Sequence, residues 1–141
     1  MNRTATAHWT GGLKDGSGTL TAPGGALKNT PYSFATRFGD KPGTNPEELI
    51  AAAHAGCFTM ALSNALGVAG FPPASIDTTA SVTLDKVADG FAITAVHLTL
   101  RAKVPGADQA KLDELAAKAK AGCPVSKLLN TKITLDATLV G

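Results

Sequence analysis

Charge of one sign is what this 141-residue sequence lacks first: 13 Lys and Arg stand against 11 Asp and Glu, for a net charge of +2. So small a basic excess gives no electrostatic reason to expect a nucleic-acid partner. A secretory pattern is also missing, because residues 1–10 carry Arg3 and a polar alternation where a basic start and an apolar run would stand. The expected compartment is therefore the cytoplasm. The longest apolar region, residues 49–70, is broken by His54, Ser63 and Asn64 and is rich in Ala and Gly, which makes it a poor membrane span and a good buried helix. No membrane association is expected. Cysteine is scarce too. Cys57 and Cys123 are the only two, too far apart in the chain for a CxxC redox motif or a zinc knuckle, so any disulfide between them in a reducing compartment would be transient. His8, His54 and His97 have no ligand spacing, and no metal is expected. Gly11, Gly12, Gly16 and Gly18 do not follow a strand and open a helix in the phosphate-cradling pattern, so no nucleotide cofactor is expected either.

What is present suits one globular domain spanning residues 1–141, large enough to bury a core without disulfides. Hydroxyl and apolar residues alternate over 4–9, a glycine-rich turn follows, and a second strand is expected over 18–22. Aromatic and hydroxyl residues over 32–38 suggest a third strand, ending on Arg37 and Phe38. Asn45, Pro46, Glu47 and Glu48 then supply an N-cap, a first-turn proline and two acids for the positive end of a helix dipole. The helix runs from 46 to about 66 and is apolar nearly all round, so it should be enclosed; its small residues at 51, 52, 53, 55, 56 and 61 would admit another helix closely. Two alternating runs, 76–87 and 91–104, read as a hairpin about Asp89-Gly90. An amphipathic helix over 108–121, stopped by Gly122, a short helix over 124–129 and a last strand over 132–140 complete the chain. The order βββ-α-ββ-α-β implies an α+β fold with mostly antiparallel sheets.

Few side chains stand out for chemistry. Cys57 lies mid-helix, where a small apolar core residue is the ordinary reading. Cys123 occupies the N-cap position before Pro124, where free amides and the helix dipole favour a thiolate; a thiol that merely caps a turn is the equal alternative. Arg37 is either an exposed strand-end charge or a cation held for a purpose, and Glu47 either serves the helix dipole or pairs with something. His54, three residues before Cys57, is either a satisfied buried histidine or a base or metal ligand.

Four segments taken together carry more than any one residue. Thr36-Arg37-Phe38, Gly43-Thr44-Asn45-Pro46-Glu47-Glu48-Leu49-Ile50, His54-Ala55-Gly56-Cys57-Phe58 and Cys123-Pro124-Val125-Ser126-Lys127-Leu128-Leu129 resemble the OsmC/Ohr family of thiol peroxidases. The resemblance extends over essentially the whole chain, and the position of Arg37 just before the TNPEEL segment, rather than in the first glycine-rich turn, is similar to the OsmC branch. It implies an OsmC-like fold of central helices in an intertwined homodimer. It also implies a peroxidase that reduces organic hydroperoxides in oxidative stress defence. Cys57 would be the nucleophile, passing through a sulfenic acid, and Cys123 the resolving thiol that forms a transient disulfide with it. Arg37 would be the cation beside the thiolate and Glu47 the carboxylate that orients it. A dithiol such as a protein-bound lipoyl group would be the reductant. Glu47 and Cys57 are separated by ten residues of one helix, a rise of about 15 Å, so Arg37 and Glu47 of one chain are expected to meet Cys57 and Cys123 of the other. The rival readings are a thiol–disulfide exchange enzyme and a non-catalytic dimer that binds an apolar ligand.

Overall fold

A computed structural model describes residues 1–141, which divide into two compact units, Met1–Leu49 and Ile50–Gly141. In the first, β1 (Thr6–Thr10), β2 (Ser17–Thr21) and β3 (Thr30–Tyr32) form an antiparallel sheet in the order β1-β2-β3. Trp9 and Tyr32 face each other at 5.3 Å on this sheet. Gly18 lies between them, where a Cβ would collide with the His8 carbonyl and the Tyr32 ring.

The strand expected over 32–38 does not form. The chain leaves β3 at Tyr32 and turns into a short helix, α1 (Phe34–Phe38), so Arg37 is helical. A capping box causes the switch: the Ser33 hydroxyl accepts from the Thr36 amide at 3.2 Å, and the Thr36 hydroxyl accepts from the Ser33 amide at 2.8 Å. These two bonds outweigh the β-propensity of Tyr, Phe and Thr. Thr36 also donates to the Thr44 carbonyl at 2.8 Å, and the Asn45 side-chain amide donates to the Thr36 carbonyl. Asn45 is the N-cap expected of it: its side-chain oxygen accepts from the Glu48 amide at 2.8 Å and starts α2 (Pro46–Val68). The same buried polar cluster fixes the end of α1 against the start of α2, which sets Arg37 beside Glu47.

In the second unit, β4 (Ser75–Val87), β5 (Gly90–Lys103) and β6 (Lys132–Leu139) lie in the order β4-β5-β6, with β4–β5 antiparallel and β5–β6 parallel. The hairpin closes with Val87 opposite Gly90, so Ala88 and Asp89 are its two turn residues, and Gly90 takes a φ of 131°. A parallel strand needs a long crossover. It is provided by α3 (Gln109–Gly122), whose N-cap Asp108 accepts from the Lys111 amide at 2.8 Å, and α4 (Pro124–Leu128). Gly122 does not stop α3 but is its last residue. The stop is Cys123, held at φ −59° and ψ 127° by the proline that follows, which disfavours the α region for its predecessor.

The core joins Phe58, Leu62 and Leu66 of α2 to Val96, Leu98 and Leu100 of β5 and to Leu112, Leu115 and Ala116 of α3. Along α2, His54, Phe58, Leu62 and Leu66 are buried, one stripe at four-residue spacing. The remaining faces are open in the single chain, with Met60 76% and Val68 83% exposed, so the enclosure expected for this helix is not met within one chain. By length and composition alone α2 is apolar enough to cross a membrane. Leu98 is fully buried, and truncating it leaves a cavity the packed sheet cannot collapse into. Leu98→Ala is expected to cost about 2–5 kcal/mol in urea unfolding; a loss below about 1 kcal/mol would place this side chain outside the cooperative core.

Candidate functional site

The two thiols meet in the second unit. Cys123 is fully buried at the junction of α3 and α4: its amide donates to the Ala119 carbonyl at 2.9 Å, and its carbonyl accepts from the Lys127 amide at 3.1 Å. One residue thus ends one helix and opens the next. Cys57, partly buried on α2, is hydrogen-bonded to Cys123, and the two are not joined by a disulfide.

Their electrostatics diverge. Burial raises the pKa of Cys57, the hydrogen bond with Cys123 raises it further, and the Val125 backbone only partly opposes this. Burial also acts to raise Cys123, but it is outweighed by the hydrogen bond from Cys57, by the Ser126 backbone and hydroxyl, and by the Val125 backbone, so its thiol is held below the ordinary range. The sulfur makes no bond of full capping geometry; the nearby amides act on its charge all the same. Within a single chain Cys123 is therefore the more readily ionised of the two thiols.

His54 is fully buried one helical turn before Cys57, and its Nε2 lies 2.7 Å from Oγ of Ser126, itself buried one turn after Cys123. Burial lowers the histidine pKa, so the ring is neutral. The sequence points to His54 without a partner and gives Ser126 no role of its own. The signal was there in the spacing: His54 precedes Cys57 by three residues and Ser126 follows Cys123 by three, which on helices sets each beside a thiol.

Arg37 and Glu47 come together in the first unit. Arg37 Nη2 donates to Glu47 Oε1 at 2.7 Å and Nε to the same oxygen at 3.1 Å, a fork in which the Glu47 side chain is 12% exposed and that of Arg37 38%. The guanidinium also lies 5.2 Å from the centre of the Phe38 ring. It borders an apolar cleft of about 240 Å³ lined by Trp9, Leu13, Tyr32, Phe34 and Phe38. This cleft is assembled from separate elements and left no mark in the sequence. No three His, Cys, Asp or Glu side chains converge into a metal-ligand set. The four residues singled out from sequence thus form two pairs, Arg37 with Glu47 and Cys57 with Cys123, each within its own unit.

Comparison with known proteins gives a consistent result. The family described as OsmC-like protein matches residues 38–138. The chain is 55% identical over 139 residues to peroxiredoxin OsmC of Escherichia coli, covering 99% of this chain and 97% of that one. It is 34% identical over 137 residues to an organic hydroperoxide resistance protein of Xanthomonas axonopodis, covering 96% and 93% of the two. Among solved structures, the organic hydroperoxide resistance protein OhrB of Bacillus subtilis superposes with a TM-score of 0.71 at 27% identity, covering 96% of this chain and 98% of that one. An OsmC-like protein of Mycoplasma pneumoniae shares the fold with a TM-score of 0.77 at 16% identity, covering 100% and 99%.

The neutral, buried His54 makes stability depend on pH. Unfolding returns its pKa to about 6.5, so above that value neither state takes up a proton at this site. Below it only the unfolded chain does, and stability falls as the pH drops toward the lower folded value. The acid-side fall in urea midpoint is expected to be shallower in His54→Gln than in the native chain; identical pH profiles would show that His54 is not held neutral.

Proposed function

Because the chain belongs to the OsmC family, we propose that it is a thiol-dependent peroxidase that reduces organic hydroperoxides to alcohols through Cys57 and Cys123. The observation that carries this reading is the pair of free cysteines, hydrogen-bonded to each other between α2 and the start of α4. The Cys57 thiolate attacks the distal oxygen of ROOH; the O–O bond breaks, RO⁻ takes up a proton and leaves as the alcohol, and Cys57 becomes a sulfenic acid. The Cys123 thiolate then attacks the Cys57 sulfur, the S–O bond breaks, and hydroxide leaves as water after protonation. A disulfide results, which a dithiol reductant reopens by exchange and is itself oxidised. A protein-bound lipoyl group has the required dithiol chemistry, and a reducing compartment such as the cytoplasm would supply it.

Cys57 needs help to start this cycle, since burial and its neighbour both oppose its ionisation. On the proposed reading the help is Arg37, a cation that both lowers a thiol pKa and binds a peroxide oxygen, held in orientation by Glu47. Arg37 and Glu47 of one subunit meet Cys57 and Cys123 of the other in a homodimer, and residues 1–141 act as one domain of it. The open apolar faces of α2 support this, because a second copy would cover Met60 and Val68. The aromatic cleft beside Arg37 suits an alkyl chain better than hydrogen peroxide.

Consumption of an alkyl hydroperoxide with a small dithiol is the direct test. The native protein should turn over and Cys57→Ser should not, while Cys123→Ser should accumulate a trappable Cys57 sulfenic acid. Arg37→Ala should lower kcat/KM by roughly tenfold or more. Absence of peroxide consumption by the native protein, with turnover of disulfides alone, would replace this reading by thiol–disulfide exchange.

A further inference from the structure

The buried contact between His54 and Ser126 ties together the two helices that carry the thiols. The Nε2–Oγ distance is 2.7 Å, His54 is fully buried and Ser126 is 9% exposed. A polar bridge in an apolar core is costly unless its groups are matched, and this one is matched on one side only, since His54 Nδ1 is buried without a partner. That asymmetry fixes the proton. A stranded N–H is rarer and costlier than a stranded lone pair, so the hydrogen sits on Nε2 and is donated to Ser126 Oγ. The serine proton is then free for another acceptor, and the sulfur of Cys123 is hydrogen-bonded to this hydroxyl.

We propose that His54 and Ser126 are positioning residues for the resolving step, a one-way donor chain from Nε2–H through Oγ–H to the sulfur of Cys123. The proposal rests on the peroxidase reading above and adds a division of labour to it. Within a single chain the thiol of Cys57 also donates to Cys123. Oxidation of Cys57 to the sulfenic acid removes that S–H donor just when Cys123 must attack. Ser126, backed by His54, and the Val125 and Ser126 backbone remain; they favour the thiolate form of the attacking sulfur and fix its direction.

A single-turnover experiment on the reduced full-length protein separates the two steps. After mixing with one equivalent of an alkyl hydroperoxide, peroxide loss reports oxidation of Cys57, and mass spectrometry of alkylated samples reports disulfide formation. Ser126→Ala should slow disulfide formation by roughly tenfold and leave peroxide loss no slower than in the native protein, with Cys57 sulfinic acid appearing when peroxide is in excess. Ser126→Thr, which restores the hydroxyl, should recover the native rate. His54→Gln, which keeps a side-chain N–H, should stay closer to native than His54→Leu. Equal slowing in Ser126→Ala and Ser126→Thr, equal slowing of both steps, or no slowing would overturn the proposal. A second arm does not depend on peroxide chemistry: Cys57 is converted to a mixed disulfide with a small aromatic thiol, and release of that thiol by Cys123 is timed in the same variants. Release that depends on the Ser126 hydroxyl in a protein that consumes no peroxide would retain this inference and reject the peroxidase reading. Release that is indifferent to the hydroxyl would reject the inference alone.

Discussion

The hydrogen bond between Cys57 and Cys123 is the contact on which the chemistry of this fold depends. Two thiols that share a proton across a buried contact cannot both ionise, so whatever stabilises a charge on one keeps the other protonated. Within a single chain the balance favours Cys123, because it stands at the start of α4 next to the Ser126 and Val125 backbone, while Cys57 sits mid-helix with little to offset its burial. The parallel crossover from β5 to β6 delivers Cys123 to this place, and the buried stripe of α2 sets His54 and Phe58 on either side of Cys57.

This balance gives the polar partners of the two thiols distinct tasks on the proposed reading. The first step needs the charge on Cys57, the thiol least able to hold it, and a guanidinium is the strongest remedy the chain contains. The second step needs the charge on Cys123, which the Ser126 hydroxyl and the amides already favour. Glu47 forks onto Arg37 and keeps it in one orientation, at the side of an aromatic cleft. A capping box that turns the chain out of β3, and an asparagine that bonds both α1 and α2, are what set that fork.

Much of this was legible in the sequence, for identifiable reasons. Asn45-Pro46-Glu47-Glu48 encodes a helix start in local chemistry, and Ala88-Asp89-Gly90 a hairpin, so both elements were found near their true limits. The α+β class followed from their order, and the pairing of Cys57 with Cys123 came from the resemblance of four segments to the OsmC family. Arg37 reads as a strand residue because Tyr, Phe and Thr favour one; the deciding Ser33–Thr36 box is hard to see in the sequence because it uses a threonine where glutamate or glutamine is usual. Gly122 reads as a helix stop, although the constraint comes from Pro124. The Ser126–His54 bridge was missed because it joins residues 72 apart in the chain, and no local pattern records such a contact. The apolar circumference of α2 was read correctly, but one chain covers only a stripe of it.

The central claim is that the cation that activates Cys57 comes from a second subunit, and subunit mixing tests it most directly. Chains carrying Cys57→Ser and chains carrying Arg37→Ala, each nearly inactive alone, are co-expressed with different tags and the mixed dimer is isolated. If each site combines Arg37 of one chain with Cys57 of the other, the mixed dimer holds one intact site and recovers about half the native rate, as two-fold symmetry requires. A mixed dimer no more active than its parents would contradict the account and put Arg37 and Cys57 of the same chain in one site.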